Sequence, residues 1–225
     1  MHKVSVLMSV HNDESNVGNA IESILNQTFE DFEFLILDDC STDDTFPICN
    51  NFQKTDKRIK LFKNQKNIGL TKSLNKLIKE SSGEFIARQD SDDKSYSNRL
   101  MIQCRELLNV NVSGCTTLAK IKNQNKVIPG LSRYIPPSYS LKYKNPFVHG
   151  SLMIKTEELK KIGLYDERFY FSQDYKLMKD LINNKINIKI LNKVLYELNM
   201  LNNISTLNKE QQAYYAACVK KNKIP

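Results

Sequence analysis

The chain has 225 residues, of which 40% are hydrophobic and 26% charged, a balance typical of a folded globular domain rather than a disordered segment. Its formal net charge of +8 favours anionic partners such as nucleotide phosphates, acidic lipid surfaces or nucleic acid. The basic residues are dispersed and no apolar run reaches about 18 residues, so we expect neither a nucleic-acid-binding arm nor a membrane-spanning helix.

The cysteines and the N-terminus favour a cytoplasmic protein. The five cysteines are odd in number and never spaced as CxxC, which predicts reduced thiols rather than a zinc site or disulfides. The N-terminus leads directly into the short apolar run VSVLMSV without a cleavage site, so we expect no signal peptide. Any membrane contact is expected to be peripheral, at the inner face and through scattered lysines.

Apolar strands alternate with helices through the first hundred residues. The predicted strands are Val4–Val10, Phe32–Leu37, Ile59–Phe62 and Glu84–Ala87. The predicted helices are Val17–Leu25, 41–52 and Thr71–Ser81, the last ended by Gly83. This alternation predicts an α/β fold with a Rossmann-like, mixed but mostly parallel open sheet flanked by helices. Ligands of such sheets bind beyond the carboxyl ends of the strands.

The second half is less regular. We expect strands at Val110–Leu118 and at Phe147–Ile154, the latter interrupted by His149-Gly150, and a loop over Gly130–Asn145. The predicted helices are Asn98–Leu108, Thr156–Ile162, Ser172–Leu181 and Lys209–Lys220.

A dense acidic cluster follows the fourth predicted strand. Asp90, Asp92 and Asp93 place three carboxylates within four residues, and like charges this close repel unless a positive charge lies among them. Oxygen-rich clusters suit Mg²⁺ or Mn²⁺. The alternative is a solvated acidic loop without a ligand. Asp38-Asp39 forms a second acidic pair at the end of the second strand.

Several motifs occur in the order and spacing of a known family. They are VSVLMSVHN, SILNQTFEDFEFLILDDCSTDDT, NIGLTKSLN, GEFIARQDSDD followed by NRL, and HGSLMIK with GLYDERFYFSQDYKLM. From Val4 to about Leu181 the chain thereby resembles the family 2 inverting glycosyltransferases of the GT-A fold. The resemblance implies one domain over 1–195, with a nucleotide-sugar-binding half (1–100) and an acceptor and catalytic half (101–195). Residues 196–225 would form a tail with a short helix.

The resemblance implies roles for donor-binding residues. Ser9, His11 and Asp39 stand where the family holds the uracil base, with the aspartate accepting from a ring N–H; the alternative for Asp39 is a turn residue. Many members carry Pro at the position of Ser9 and most carry Tyr at that of His11. A histidine ring still offers a planar face for stacking.

Asp90-Ser91-Asp92 matches the DxD motif of the family. The resemblance implies that Asp92 binds a divalent cation, Mg²⁺ or Mn²⁺, which bridges the donor diphosphate, with Asp90 and Ser91 near the ion or the ribose. Asp93 is expected to brace the loop. Arg99 is expected to pair with these carboxylates, as a structural salt bridge rather than a substrate contact.

Asp174 occupies the position of the family's catalytic base. Inversion at the anomeric carbon needs a base on the acceptor side, and a carboxylate at the head of a helix can accept the acceptor hydroxyl's proton. Gln173 stands where most members carry Glu. Asp166 and Glu167 are expected to hold the preceding loop. His149 either lines the site or is a buried, satisfied histidine.

One family feature is missing. Many members carry Arg-x-His near the end of the catalytic region, where this chain has Leu198-Asn199-Met200. Lys193, Lys209 or a water could take over its contact with the diphosphate or the metal.

The favoured hypothesis is a metal-dependent inverting transferase. It would move a sugar from a nucleotide-sugar donor to a glycan or lipid-linked acceptor in surface polysaccharide biosynthesis. A UDP-sugar is the favoured donor. The alternative is a catalytically degenerate nucleotide-sugar-binding partner protein. A sugar nucleotidyltransferase would need a Gly-rich basic loop after the first strand, where SVHNDES stands. No basic stripe with interleaved aromatic residues supports nucleic acid binding. The sequence makes no prediction of the oligomeric state.

Overall fold

The computed structural model of the protein describes residues 2–200 and 208–225. It confirms the predicted alternation of strands and helices and the mixed, mostly parallel sheet. The strands are β1 (Val4–Val10), β2 (Phe32–Asp38), β3 (Ile59–Lys63), β4 (Phe85–Arg88), β5 (Lys94–Ser95), β6 (Gly114–Ile121), β7 (Val127–Ile128), β8 (Met153–Lys155) and β9 (Ile188–Leu198). The helices are α1 (Val17–Leu25), α2 (Thr45–Thr55), α3 (Leu70–Glu80), α4 (Arg99–Leu107), α5 (Pro137–Ser140), α6 (Thr156–Lys161), α7 (Gln173–Asn183) and α8 (Lys209–Lys221).

The sheet has the strand order β3-β2-β1-β4-β8-β6-β9-β5, with β7 paired to β6. Strands β1 to β4 are parallel to one another, whereas β8 runs antiparallel between β4 and β6. Val10 at the end of β1 lies opposite Asp38 at the end of β2. The carboxyl ends of β1, β2 and β4 therefore open onto one edge of the sheet, as the sequence predicts.

Helices cover both faces of the sheet. Along β1, Val6 and Met8 pack with α1 and α4 on one face, while Leu7 packs with α3 and α7 on the other. Successive side chains of a strand point to opposite faces, so a strand buried on both faces needs a mostly apolar sequence rather than an alternating one. This explains why β1 and α1 have the predicted bounds.

A buried polar network joins the first two strands to the segment after α3. Glu33 accepts hydrogen bonds from Ser5, Lys60 and Ser82. Burial by itself raises the pKa of Glu33, but these donors outweigh it and lower the pKa to about 2. The predicted role of Gly83 as the end of α3 is wrong. The helix ends at Glu80, and a Cβ on Gly83 would lie 2.5 Å from the Ser5 nitrogen.

Elements of the second half differ most from the prediction. Strand β6 begins at Gly114 rather than Val110, because Val110 lies in an exposed turn. The strand predicted over Phe147–Ile154 is replaced by a 3₁₀ turn at His149–Ser151 and the short β8. The predicted loop Gly130–Asn145 contains a 3₁₀ turn (Leu131–Tyr134) and α5.

The last strand was missed by the sequence analysis. Strand β9 pairs in parallel with β6, and the boundary expected at residue 195 falls inside it. The helix expected in the tail is α8, which packs on α7 through a hydrogen bond of 2.6 Å from the Lys179 ammonium to the Val219 carbonyl. Residues 201–207 of the predicted tail lie outside the described residues. No helix within 2–200 or 208–225 is long and apolar enough to cross a membrane.

Candidate functional site

Asp39 organises the loop that follows β3. Its Oδ1 accepts hydrogen bonds from Asn64 Nδ2 at 2.8 Å and the Ile68 N–H at 3.0 Å, and its Oδ2 accepts one from the Gly69 N–H at 2.8 Å. The side chain is 2% exposed. These contacts give Asp39 the turn-bracing role that was the alternative to base binding. Base binding by Asp39 remains a prediction.

The other two predicted donor-binding residues lie at the end of β1. Ser9 is partly buried and lies opposite Leu37 of β2. His11 follows the strand and is exposed, so its ring is accessible for stacking. Tyr170 packs against the loop after β3 that Asp39 holds. A Cβ built on Gly69 of that loop, whose φ is +85°, would lie 2.5 Å from the Tyr170 ring. Gly69 is needed here for both its φ and its small size.

The acidic cluster after β4 includes a residue that the sequence analysis did not select. Asp13 lies two residues beyond His11, and its Oδ2 accepts a hydrogen bond of 2.6 Å from the Ser91 hydroxyl. Burial, followed by repulsion from Asp90 and Asp13, raises the pKa of Asp92 to about 7. Three carboxylates from two strand ends therefore act on one another at this edge of the sheet.

Asp90 is held from both sides. Arg88, whose side chain is buried, forms a salt bridge with the Asp90 carboxylate. The Asp90 backbone N–H donates a hydrogen bond of 3.1 Å to the Tyr196 hydroxyl. A Cβ on Gly150 would lie 2.4 Å from that hydroxyl and 2.6 Å from Asp90 Oδ2. The glycine of the HG segment thus lets the chain pass directly against Asp90.

Asp93 braces the loop, in agreement with the prediction. It is 3% exposed, and its Oδ1 accepts a hydrogen bond of 2.7 Å from the Asn199 N–H. Burial and the neighbouring charges of Asp90 and Asp92 raise the pKa of Asp93 well above its usual value. The loop after β4 is thereby tied to the end of β9.

The salt bridge predicted for Arg99 is wrong. Its guanidinium is fully buried and donates to the carbonyl oxygens of Arg88 at 2.9 Å and Gly150 at 3.2 Å, and it lies over the Tyr196 ring. Burial lowers the pKa of Arg99 to about 10. The cation that pairs with the acidic cluster is Arg88, because its position at the end of β4 directs it to Asp90.

His149 begins the 3₁₀ turn at His149–Ser151. Its Nε2 lies 2.7 Å from the Tyr165 hydroxyl, so the histidine has a satisfied partner. Burial, together with the nearby Arg88 charge, lowers its pKa to about 4 in spite of Asp90 and Asp174, which act in the opposite direction. His149 is therefore neutral near pH 7. Both Asp90 and Asp174 are within electrostatic reach of it.

Asp174 lies in the first turn of α7. Its Oδ2 accepts a hydrogen bond of 2.9 Å from Asn145 Nδ2, and the positive end of the helix dipole favours a carboxylate there. Ser172 precedes the helix with φ +52°, and its hydroxyl donates to Gln212 of α8 at 3.0 Å. As expected, Asp166 and Glu167 hold the preceding loop. Asp166 accepts a hydrogen bond from Arg168, and Glu167 accepts one from Asn75.

A lysine stands near the place of the missing basic motif. Lys122 lies close enough to Asp92 to lower its pKa, and its backbone N–H donates to the Leu198 carbonyl at 2.8 Å. By contrast, Lys193 is an exposed residue of β9, and Lys209 begins α8. Sequence reasoning missed Lys122 because its proximity to Asp92 depends on the pairing of β6 with β9.

The donor chemistry of the acidic cluster fits a hard divalent cation. Carboxylate oxygens are the ligands that Mg²⁺ and Mn²⁺ prefer. Burial, and then the charges of Asp90 and Asp13, raise the pKa of Asp92, and a cation would offset those charges. Within residues 2–200 and 208–225, no three acidic, histidine or cysteine side chains converge as a complete metal site. Waters and a diphosphate would have to supply the remaining ligands.

The chain is similar to known proteins in both sequence and fold. The sequence profile described as "Glycosyl transferase family 2" matches residues 5–179. The Escherichia coli protein WfgD, named a UDP-Glc:alpha-D-GlcNAc-diphosphoundecaprenol beta-1,3-glucosyltransferase, is 30% identical over 193 residues, or 84% of this chain and 73% of WfgD. This chain spans 84% of the Escherichia coli O-antigen biosynthesis glycosyltransferase WbnJ but only 19% of a Rickettsia bellii glycosyltransferase.

Two solved structures share the fold. Residues 1–349 of S. aureus TarS with UDP-GlcNAc give a TM-score of 0.80 at 21% identity, covering 96% of this chain and 65% of that one. The Pyrobaculum calidifontis mannosyltransferase PcManGT with GDP-Man and Mn²⁺ gives a TM-score of 0.80 at 16% identity, covering 100% and 66%. This chain thus spans slightly less than two-thirds of either crystallised chain. The predicted GT-A fold is confirmed.

Proposed function

The chain belongs to glycosyl transferase family 2, and from that premise we propose that it transfers a sugar, with inversion, from a UDP-sugar to a glycan or lipid-linked acceptor. The observation that carries the proposal is that His149 lies within electrostatic reach of two acidic groups that belong to separate elements. Asp90 belongs to the cluster beyond the strand ends, and Asp174 stands at the head of α7. Leaving-group stabilisation and proton acceptance, the two tasks of an inverting transfer, thus have separate carboxylates.

The donor would bind across the carboxyl ends of β1, β2 and β4. We infer that Ser9, the exposed ring of His11 and Asp39 contact the base. The bonds of Asp39 to the loop at 64–69 would also shape the adjoining wall. The name of WfgD gives UDP-Glc as its donor, and TarS was crystallised with UDP-GlcNAc. These names support a UDP-sugar here.

Asp92, with Asp90, would hold a divalent cation, Mg²⁺ or Mn²⁺, and Ser91 would contact the donor. Such an ion offsets the charge that develops on the leaving diphosphate as the anomeric bond breaks. Arg88 fixes the Asp90 carboxylate, and Asp93 fixes the loop after β4. Asp90 and Asp92 are therefore positioned before the donor binds. Lys122 adds a positive charge on the same side. The Mn²⁺ bound in PcManGT supports this proposal.

Asp174 would act as the general base. Its Oδ1 has no hydrogen-bond partner among the described residues, so this oxygen can accept the proton of an acceptor hydroxyl. Asn145 holds the other oxygen and orients the carboxylate. His149 is neutral and bonded to Tyr165, which makes it a wall of the site rather than a second base.

The experiment is to measure nucleoside diphosphate release from a panel of nucleotide sugars with Mn²⁺, using glycan and lipid-linked acceptors. We expect Asp174→Asn to lower kcat by on the order of 10²-fold or more, because general base catalysis contributes about that much. Asp166→Asn is the matched control: it lies in the loop before α7, bonded to Arg168, and should retain activity.

A second candidate is a nucleotide-sugar-binding partner without transfer activity. The substitution of Leu198-Asn199-Met200 for the family's Arg-x-His favours it. It predicts tight donor binding in calorimetry with no diphosphate release across the whole panel. Release that is abolished in Asp174→Asn and kept in Asp166→Asn would eliminate this candidate.

A further inference from the structure

The net positive charge of the protein comes largely from one stretch of the chain, because that stretch lacks acidic residues. Residues 107–156 contain seven lysines and arginines and not a single aspartate or glutamate. The remaining 175 residues are nearly balanced, with 26 basic against 25 acidic side chains. Almost the whole net charge of +8 therefore comes from 50 residues.

The same stretch exposes large apolar side chains. Of the 13 large hydrophobic residues that are exposed in the described part of the chain, six lie between 127 and 143. Leu131 is 81% exposed, Tyr134 66%, Tyr143 61% and Tyr139 53%. Lone exposed apolar residues are ordinary on a protein surface, but a concentration of them marks an interaction site.

Contrary to the expectation from the sequence, cations and aromatic rings are interleaved on this surface. The Arg133 guanidinium lies 4.6 Å from the Tyr134 ring centroid, and the Lys142 ammonium lies 5.7 Å from that of Tyr139. None of the basic side chains from 126 to 144 forms a salt bridge with a described residue. Their charge is therefore available to an external anion.

This surface is joined to the acceptor side of the site. The Tyr175 hydroxyl of α7 donates a hydrogen bond of 2.7 Å to the Leu141 carbonyl. Asn145, which bonds Asp174, follows directly after the exposed lysines at 142 and 144. Whatever binds the surface is brought next to the carboxylate proposed as the base.

We propose that this surface docks the protein on an anionic lipid bilayer. We name it the basic aromatic face and define it by Lys126, Leu131, Tyr134, Tyr139, Lys142 and Lys144. Tyrosine rings partition to the headgroup level of a membrane, an exposed leucine inserts its side chain, and lysines are attracted to acidic headgroups. The purpose of docking rests on the proposed function, because a lipid-linked acceptor stays in the bilayer and must meet Asp174 from there.

A vesicle-binding assay tests the face independently of catalysis. The full chain is sedimented with phosphatidylglycerol-containing vesicles and with pure phosphatidylcholine vesicles, at low and high salt. We expect binding to the acidic vesicles only, weakened by salt because the Debye length falls from about 10 Å at 0.1 M to about 3 Å at 1 M. Each cation near an acidic surface strengthens partitioning roughly fivefold, so Lys126→Gln/Lys142→Gln/Lys144→Gln should weaken it on the order of 100-fold.

A charge-matched variant serves as the control. Lys54→Gln/Lys57→Gln/Lys79→Gln removes the same charge from exposed positions outside the face and should reduce binding far less. Equal losses in the two triple variants, or no binding of the unmodified protein to acidic vesicles, would overturn the proposal. A second variant, Leu131→Ser/Tyr139→Ser, should also reduce binding. If it changes only the sedimentation coefficient of the free protein, the face is a contact between copies of the chain and the proposal is wrong.

The outcome also separates docking from catalysis. With a water-soluble acceptor, the basic aromatic face variants should release nucleoside diphosphate at the rate of the unmodified protein. With the acceptor embedded in vesicles, their rate should fall along with their binding. Vesicle binding without any diphosphate release would leave the docking surface intact and count against the proposed transfer.

Discussion

The close approach of Gly150 to Asp90 leads to a quantitative prediction. In Gly150→Ala the new Cβ would lie 2.4 Å from the Tyr196 hydroxyl and 2.6 Å from Asp90 Oδ2. Contacts this short cannot persist, and both neighbours are constrained, Asp90 by Arg88 and Tyr196 by full burial. Displacement of the Asp90 carboxylate is therefore the expected response.

The magnitude follows from overpacking. Forcing a methyl group into a filled site costs about 1–3 kcal/mol in the free energy of unfolding. In a domain of this size each kcal/mol shifts Tm by roughly 2–4 °C, so we expect Tm to fall by between about 2 and 12 °C. A shift of Asp90 on the order of 1 Å should also lower kcat by up to about 10²-fold.

Thermal unfolding and nucleoside diphosphate release are the two assays. Gly130→Ala is the matched control, because nothing lies within 4 Å of a Cβ there, and it should leave both quantities unchanged. A Gly150→Ala protein with unaltered Tm and rate would refute the packing argument. A lowered Tm with an unaltered rate would instead show that the Asp90 position is not needed for the reaction.

Two further changes test a network remote from the site and the orientation of the proposed base. The folded-state pKa of Glu33 is about 2, below its ordinary value of 4.5, so its contribution of about 3 kcal/mol is fully present above pH 4.5 and is lost as pH falls towards 2. Glu33→Gln should lower the free energy of unfolding at pH 7 and flatten its dependence on pH between 4.5 and 2, measured by urea unfolding. The exposed Glu22→Gln should change neither, and an unaltered pH dependence in Glu33→Gln would contradict the assignment. Asn145→Ala removes the hydrogen bond to Asp174. Since a hydrogen bond to a charged group contributes about 1.5–3 kcal/mol, the change should lower kcat by roughly 10- to 100-fold and Tm by roughly 3–12 °C. The exposed Asn125→Ala is its control, and an unchanged kcat in Asn145→Ala would show that Asp174 needs no such support.

The first half of the chain could be predicted because its signals are local. An apolar run such as Val4–Val10 can be satisfied only by a strand covered on both faces, and α1 follows it with apolar residues at helical spacing. The acidic residues after β2 and β4 could be placed at one edge, because parallel strands present their carboxyl ends together.

Strand β9 could not be predicted in the same way. Its sequence, IKILNKVLYEL, mixes apolar residues with lysine, asparagine and glutamate, and its register shifts twice against β6. The strand exists because β6 and β5 supply pairing partners on its two sides. Such pairing depends on residues distant in the chain, which local periodicity does not reveal.

The sequence by itself determined the fold class, the family and the acidic residues at the ends of the strands. Only the tertiary structure decided which charges meet. Asp90 pairs with Arg88 rather than with the expected Arg99. Asp13 and Lys122 lie near Asp92, and Asn145 donates a hydrogen bond to Asp174. Local patterns specify whether a segment is buried or polar. The partner of a charge is decided by the packing of separate strands and loops, because electrostatic forces act across space rather than along the chain.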